Sequence, residues 1–277
     1  MSRVLVTPYA LAVSVPYTLA VGFVAAEVAW LARRPGPDRA PLLRSAASAA
    51  GMAVGAFGVG LVYTPLLRLL WGLAGRGAPP ALAAFWSRHV VLCAVVAFVG
   101  WDLSGWVYHV IGHRTAVGWA AHQAHHSGPS YDATLGLRES WAPFHGLLHH
   151  PLLALLGLPL RYIIVCAAFS NAWQVMEHTS LPVRFPRWLA AAVMTPGAHR
   201  HHHGRGGALV NLGPFLTVWD RLAGTWVPAS VPAPLLYGPA VPAPLNPVRV
   251  ELAGWLALAR RYAHLLRPRP VPTVDVP

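Results

Sequence analysis

No lysine occurs among the 277 residues, so all 21 basic side chains are arginine, set against nine Asp and Glu. Charged residues make up 11% of the chain, where a soluble domain carries about 25%. That deficit excludes an ordinary water-soluble surface. With 55% hydrophobic residues and a mean hydropathy of +0.47, the composition is that of an integral-membrane protein. The missing lysine, beside abundant Ala, Gly and Pro, reads as compositional bias and carries no chemistry. Cysteine is nearly absent. Cys93 and Cys166 lie in apolar runs without C-x-x-C spacing, which excludes a disulfide scaffold and a thiolate metal site and leaves them as small core residues. Neither H-E-x-x-H nor E-x-x-H occurs, which excludes the helical zinc-hydrolase pattern and the carboxylate-rich soluble di-iron bundle. The net charge of +12 is scattered over the ends of apolar segments. Without a basic stripe or recognition motif it points to anionic lipid headgroups and not to nucleic acid.

What is present is a series of apolar runs. A first membrane span is expected over Tyr9–Leu31, too long for a cleaved signal peptide, although the Ala-rich stretch near Ala25 keeps that alternative open. A loop with Arg33, Arg34, Arg39 and Arg44 follows, then a second span over Ala46–Leu70, in which Gly51, Gly55, Gly58 and Gly60 permit close helix packing. A Gly/Pro-rich turn closes that hairpin, and a third span over His89–Ile111 carries Asp102 and delivers His109 at its exit. Phe144 to His178 is apolar again but interrupted by Gly157 and Pro159, as in a helical hairpin that enters the membrane and returns. Positive-inside reasoning on Arg33 to Arg44 places every histidine cluster on the cytoplasmic side. Pro228–Pro247 holds seven prolines and is expected to run extended. Val248–Leu266 then puts Leu252, Trp255, Leu256, Ala259 and Leu266 on one face of a helix lying in the membrane interface.

Histidine is the informative residue. His109 and His113 form H-x-x-x-H; His122, His125 and His126 form H-x-x-H-H; His199, His202 and His203 form the same pattern again. Helical spacings of three and four share a face, so each cluster aims its imidazoles one way. Eight imidazoles exceed the needs of one ion, and two metals are expected. Ligand type leaves iron, zinc, copper and nickel open. The hairpin must return, because otherwise the second and third clusters would face opposite sides of the bilayer.

The wider pattern includes Trp119 before the second box, Leu137, Arg138 and Trp141 after it, Gln174 with His178 and Thr179, Thr195 and Pro196 before the third box, and Trp219, Asp220, Arg221, Gly224 and Thr225 beyond it. In these residues the chain resembles the fatty acid hydroxylase and sterol desaturase superfamily over about Asp102 to Trp226, nearest to alkylglycerol monooxygenase-like bacterial members. It departs at Val110, where the family usually has Arg, in the short connection from His203 to Asn211, and at Ala223 in place of a common Phe. The resemblance implies an all-α, polytopic membrane bundle with a di-iron centre that hydroxylates or desaturates a lipid C–H bond using dioxygen and two electrons. The electrons would come from a donor protein or from reduced tetrahydrobiopterin. It also implies a bacterial cytoplasmic membrane and makes His178 the ninth metal ligand, with Gln174 orienting it.

Asp102, Gln174 and Asn211 are candidate supports for the metal-binding rings, since a ligating imidazole needs a partner for its other nitrogen; Glu177 and Asp220 are weaker ones. Arg138 is expected to hold a lipid headgroup or carboxylate. His145 and His149, with His150, fall where the family has no ligand and are expected at a headgroup or pocket rim, while His201 points away from its box and His89 and His264 are structural. Three regions are expected: a transmembrane hairpin over 1–88, a histidine-box domain over 89–227, and a Pro-rich linker with an interfacial helix over 228–277. The competing reading is a polytopic metal-binding or transport protein using histidines as relay ligands. Against it, the boxes sit at span exits rather than along a mid-membrane path.

Overall fold

The computed structural model describes residues 7–34, 39–142, 151–205, 209–232, 236–240 and 243–263. His145, His149 and His150, the start of the expected hairpin at Phe144, and the tail beyond residue 263 lie outside them. Within the described residues the secondary structure is helical, with only isolated bridges at Val193–Leu216 and Gly204–Tyr237.

Among the described residues three helices are long and apolar enough to cross a membrane: α1 (Pro8–Arg33), α2 (Ala40–Gly75) and, after the short α3 (Pro80–Arg88), α4 (Val90–Arg114). Thr7 starts α1 by accepting a hydrogen bond from the Ala10 amide at 3.2 Å. With 36 residues, α2 is longer than the expected span. At about 1.5 Å per residue it outreaches a hydrocarbon layer of about 30 Å. The reason lies in its first turns. Ser45, Ser48, Ala49 and Met52 are buried against the rest of the protein, whereas Val54, Leu61 and Val62 are exposed. The glycines divide likewise. Gly51 lies against Pro247 and Gly55 against the Trp141 ring, while Gly58 and Gly60 have open space beside them, contrary to a packing role for all four.

Ala116–His122 forms α5, capped by the Thr115 hydroxyl, which accepts from the Gly118 amide at 2.9 Å. Two 3-10 turns follow, His125–Ser127 and Ala133–Leu137. The expected break in the apolar hairpin is present: a helical stretch at 151–155 ends at Gly157, which has φ +67°, and Pro159 starts α6 (Leu160–Glu177). Helix α6 packs on α1 and α4. Cys93, Ala97 and Trp101 of α4 meet Ile163 and Cys166 of α6 in one core, and both cysteines are free and buried. Short helices α7 (Arg187–Ala192), α8 (Pro196–His202) and α9 (Val218–Ala223) complete the box region.

The last helix, α10 (Pro247–Tyr262), docks on α5 and α2 through Val250, Glu251 and Gly254. Of the stripe expected on one face, Leu252, Leu256 and Ala259 are exposed, Trp255 is half-buried and donates to Glu251 at 3.1 Å, and Leu266 lies outside the described residues. Glu251 accepts from Ser140 Oγ at 3.0 Å and from the Trp141 amide at 3.1 Å. A Cβ on Gly254 would stand 2.2 Å from the Ala120 carbonyl oxygen, an immobile backbone atom. Gly254→Ala is therefore expected to push α10 off α5 and destabilise the protein by about 1–3 kcal/mol. Gly58→Ala, with nothing within 4 Å, should be neutral or stabilising by up to about 1 kcal/mol. Thermal unfolding in detergent compares the two, and equal midpoints would contradict the close docking of α10.

Candidate metal centre

The structure brings all nine expected histidines together in two sets whose ligand nitrogens lie within 4.8 Å of one another: His109, His113, His122, His126 and His202 in one, His125, His178, His199 and His203 in the other. Helix α4 delivers the first two from its last turns. Helix α5 and the following 3-10 turn deliver the second box, the C-terminus of α6 delivers His178, and α8 delivers the third box. Thr195 caps α8, accepting from the Ala198 amide at 3.3 Å, and Pro196 opens its first turn. The H-x-x-H-H boxes do not each serve one set. The pairs four apart stay together, His122 with His126 and His199 with His203, while the histidine between crosses to the other set. Each box therefore ties both sets together, and the rings of His126 and His203 stack across them at 4.4 Å.

The ring contacts test whether these residues fit metal. His109 Nδ1 lies 2.8 Å from the Leu212 carbonyl and His202 Nδ1 lies 3.1 Å from that of Val210. A carbonyl only accepts, so both Nδ1 atoms carry the proton and both Nε2 atoms of the neutral rings carry a lone pair. Those two Nε2 atoms face each other at 2.9 Å. Two lone pairs at that distance repel unless a cation stands beside them. In the second set, His178 Nε2 lies 3.1 Å from His125, 3.0 Å from His203 and 3.1 Å from His199. Metal–nitrogen bonds of about 2.1 Å at right angles separate donor atoms by about 3.0 Å. The donor set fits two divalent ions. Burial, reinforced by neighbouring imidazoles, holds His122, His125, His126, His199, His202 and His203 well below the usual imidazole pKa, and burial lowers His178 to about 4. The rings are neutral, as ligation requires.

The supporting residues act differently from expectation. Among the described residues Asp102 bonds neither an imidazole nor an arginine. It accepts from Trp219 Nε1 at 2.7 Å and from the Leu216 amide at 3.2 Å. Asp220 accepts from the amides of Leu212 at 3.0 Å and Gly213 at 2.7 Å, which fixes the carbonyl that holds His109. Gln174 holds His178 through its main-chain carbonyl, its side chain turning instead to Ser170. Asn211 adopts φ +54° and bonds the Ala198 carbonyl at 2.7 Å and that of Val227 at 2.8 Å, which seats α8. Arg138 corrects the headgroup expectation: it is 1% exposed and donates to Ser127 Oγ and to the Ser45 carbonyl, each at 3.0 Å. Its guanidinium joins α2 to the second box and is not presented to a headgroup. His201 lies outside both sets.

Two residues escaped the sequence reading. Glu27, buried within α1, accepts from Thr179 Oγ1 at 2.6 Å and from the Ser180 amide at 2.8 Å, pinning the chain just after His178. A lone acid in an apolar span was the available signal. Glu139 stands 3.9 Å from His125 Nδ1, the ring nitrogen turned away from the set. Its side chain is 62% exposed and opens onto the larger cavity.

Two cavities flank the centre. One of about 870 Å³ runs between α1, α2 and α4 and ends on His109, His122, His125, His178 and His199. The other, of about 480 Å³, reaches His113, His126, His202 and His203 from beneath α10.

The protein is expected to bind two divalent ions per chain, with His178→Ala and His113→Ala each retaining one; loss of both in either variant would deny independent sets. The metal-free protein has a pH signature as well. Because the folded-state pKa values are depressed, the unfolded chain takes up protons that the folded chain refuses below about pH 6.5. Stability is full above that value and should fall as pH drops towards 4, where His178 begins to protonate. Thermal midpoints of metal-stripped protein measured from pH 7.5 downward check this, and a flat profile would contradict buried neutral rings.

The comparisons accord with this geometry. The family model "Fatty acid hydroxylase" matches residues 94–225. The alkylglycerol monooxygenase of Danio rerio is 35% identical over 138 residues, covering 49% of this chain and 30% of that protein. That of Homo sapiens is 31% identical over 134 residues, 47% and 29% respectively, and that of Caenorhabditis elegans 29% over 139 residues, 50% and 27%. The match thus spans less than a third of the length of these relatives. No solved structure matches significantly. These relatives are animal proteins, and with that the expected bacterial cytoplasmic membrane is withdrawn. With its three histidine boxes assembled into paired sets at the end of an apolar bundle, the chain matches the fatty acid hydroxylase family over residues 94–225 and is related there to alkylglycerol monooxygenases.

Proposed function

We propose that this protein is a membrane-bound di-iron monooxygenase that hydroxylates a lipid in its larger cavity. The observation that carries the reading is that an apolar cavity of about 870 Å³, walled by the lipid-exposed helices, ends on five of the nine metal-set imidazoles. Two irons bound there would supply dioxygen activation with two electrons from a donor protein or reduced pterin. The chain's own residues hold, orient and exclude. Carbonyls of Leu212, Val210 and Gln174 fix the ring protons on Nδ1 and turn the Nε2 lone pairs inward. Phe57, Trp101 and Trp141 line the path of an acyl or alkyl chain and keep water from it. Tyr17, Tyr63 and Tyr108 offer hydroxyls for the polar end of the substrate. The relatives' name makes alkylglycerols the first lipid class to test.

Lipids extracted from cells expressing the protein are expected to include a species heavier by one oxygen, absent with His125→Ala. Ala56→Trp, which fills the cavity wall, should lower the product at least about tenfold while both metals stay bound. Product unaffected by Ala56→Trp would remove the cavity from the reaction. Metal flux into proteoliposomes without any oxidised lipid would favour transport instead.

A further inference from the structure

The proposed lipid reaction leaves the smaller cavity unused, yet that cavity ends on imidazoles of both sets: His113, His126 and His202 of the one and His203 of the other. The buried Nε2 of His113 has no hydrogen-bond partner among the described residues, which leaves a free donor there. The segment 236–240, whose last three residues wall this cavity, is fastened to both H-x-x-H-H boxes two residues beyond their last histidine. At the third box the Arg205 amide donates to the Leu236 carbonyl at 2.8 Å. The Arg205 guanidinium adds Nε to the Gly238 carbonyl and Nη2 to those of Tyr237 and Pro239, each at 3.2 Å. At the second box Gly238, with φ +69°, lies so close that a Cβ would stand 2.4 Å from the Gly128 carbonyl oxygen. Arg205 itself is exposed, as are Pro239 and Ala240.

We propose that the smaller cavity is the route by which divalent metal ions reach both sets, and that the segment 236–240, latched by Arg205, is its gate. A divalent ion enters low-dielectric surroundings only at great cost. The larger cavity runs between the spanning helices, so a hydrated ion is kept out of it. The smaller cavity has exposed residues at its outer wall, the Gln123 amide along its side and imidazoles at its floor, so an ion that sheds water there meets polar atoms throughout. Opening this path disturbs no helix. The guanidinium bonds that hold the segment come from one exposed side chain, and water replaces such bonds at small net cost. Because each box carries one end of the fastening, the segment closes over the point where the two boxes meet. The route rests on the reading that both sets hold metal, so its test follows the movement of ions, without turnover.

The full chain in detergent is stripped of metal and mixed with Co2+, whose uptake is read by visible absorption; the loaded protein is then mixed with excess EDTA to read release. Wild type should bind two ions. Arg205→Ala should speed both uptake and release about tenfold, because charge-assisted hydrogen bonds of the latch are lost, with the number bound unchanged. Arg205→Lys keeps the charge but not the planar fork, and its rates should fall between. Unchanged rates in Arg205→Ala would overturn the gate. So would faster uptake with slower release, the result for a charge that only repels cations. Ala253→Trp, which fills the smaller cavity from α10, should slow both rates, whereas Ala56→Trp, which fills the larger one, should leave them as in wild type. The opposite pattern would overturn the route. If Ala253→Trp does not fold by size exclusion, the other variants decide: slowing by Ala56→Trp overturns the route, and wild-type rates there with faster exchange in Arg205→Ala support it. Wild-type protein that binds no Co2+ would remove the metal reading itself, and this proposal with it.

Discussion

Lone-pair repulsion among neutral imidazoles is the constraint around which this protein is built. His109 and His202 turn unprotonated Nε2 atoms towards each other at 2.9 Å, and His178 meets three more rings at 3.0–3.1 Å. Such a packing is unfavourable without cations, and bound metal would relieve it and stabilise the fold. Each flanking feature serves to hold rings in that position against their own repulsion.

The holding is done largely by backbone. Three ring protons are taken by main-chain carbonyls: those of Val210 and Leu212 lie in a loop braced by Asp220 and Asn211, and that of Gln174 lies in α6. Asp220 fixes the turn at Leu212, Asp102 anchors the chain near Leu216 and Trp219, and Asn211 accepts a left-handed conformation to seat the third box. Its side-chain amide holds that conformation by bonding Ala198 and Val227, both distant in sequence. Glu27 does comparable work from within the first span, reaching the residues after His178. Support thus acts one bond removed from the rings, through the segments that carry them.

The site also has two sides of different character. Spanning helices wall the larger cavity and give it a route to lipid, whereas α10, the segment at 238–240 and Arg205 enclose the smaller one. Extension of α2 past the hydrocarbon layer is what lets one helix both face lipid and clamp the second box through Ser45 and Arg138.

Much of this was legible in the chain. Low charge and long apolar runs dictate a membrane bundle, because unpaired backbone and charge are too costly in lipid. Histidine spacing identified eight of the rings, since helical periodicity puts residues four apart on one face, while His178 was picked out by the family resemblance. The break at Gly157 and Pro159 follows from local backbone chemistry. What periodicity could not decide is which rings share an ion. His125 leaves its neighbours for the other set, as does His202, because that depends on where four separate helices end relative to each other. The same holds for the polar residues. Arg138 proved to be a buried clamp and Glu177 a neighbour of His199, although a sequence presents both simply as charges near histidines. Local pattern determines which side chains are available, and only tertiary packing determines what each one faces.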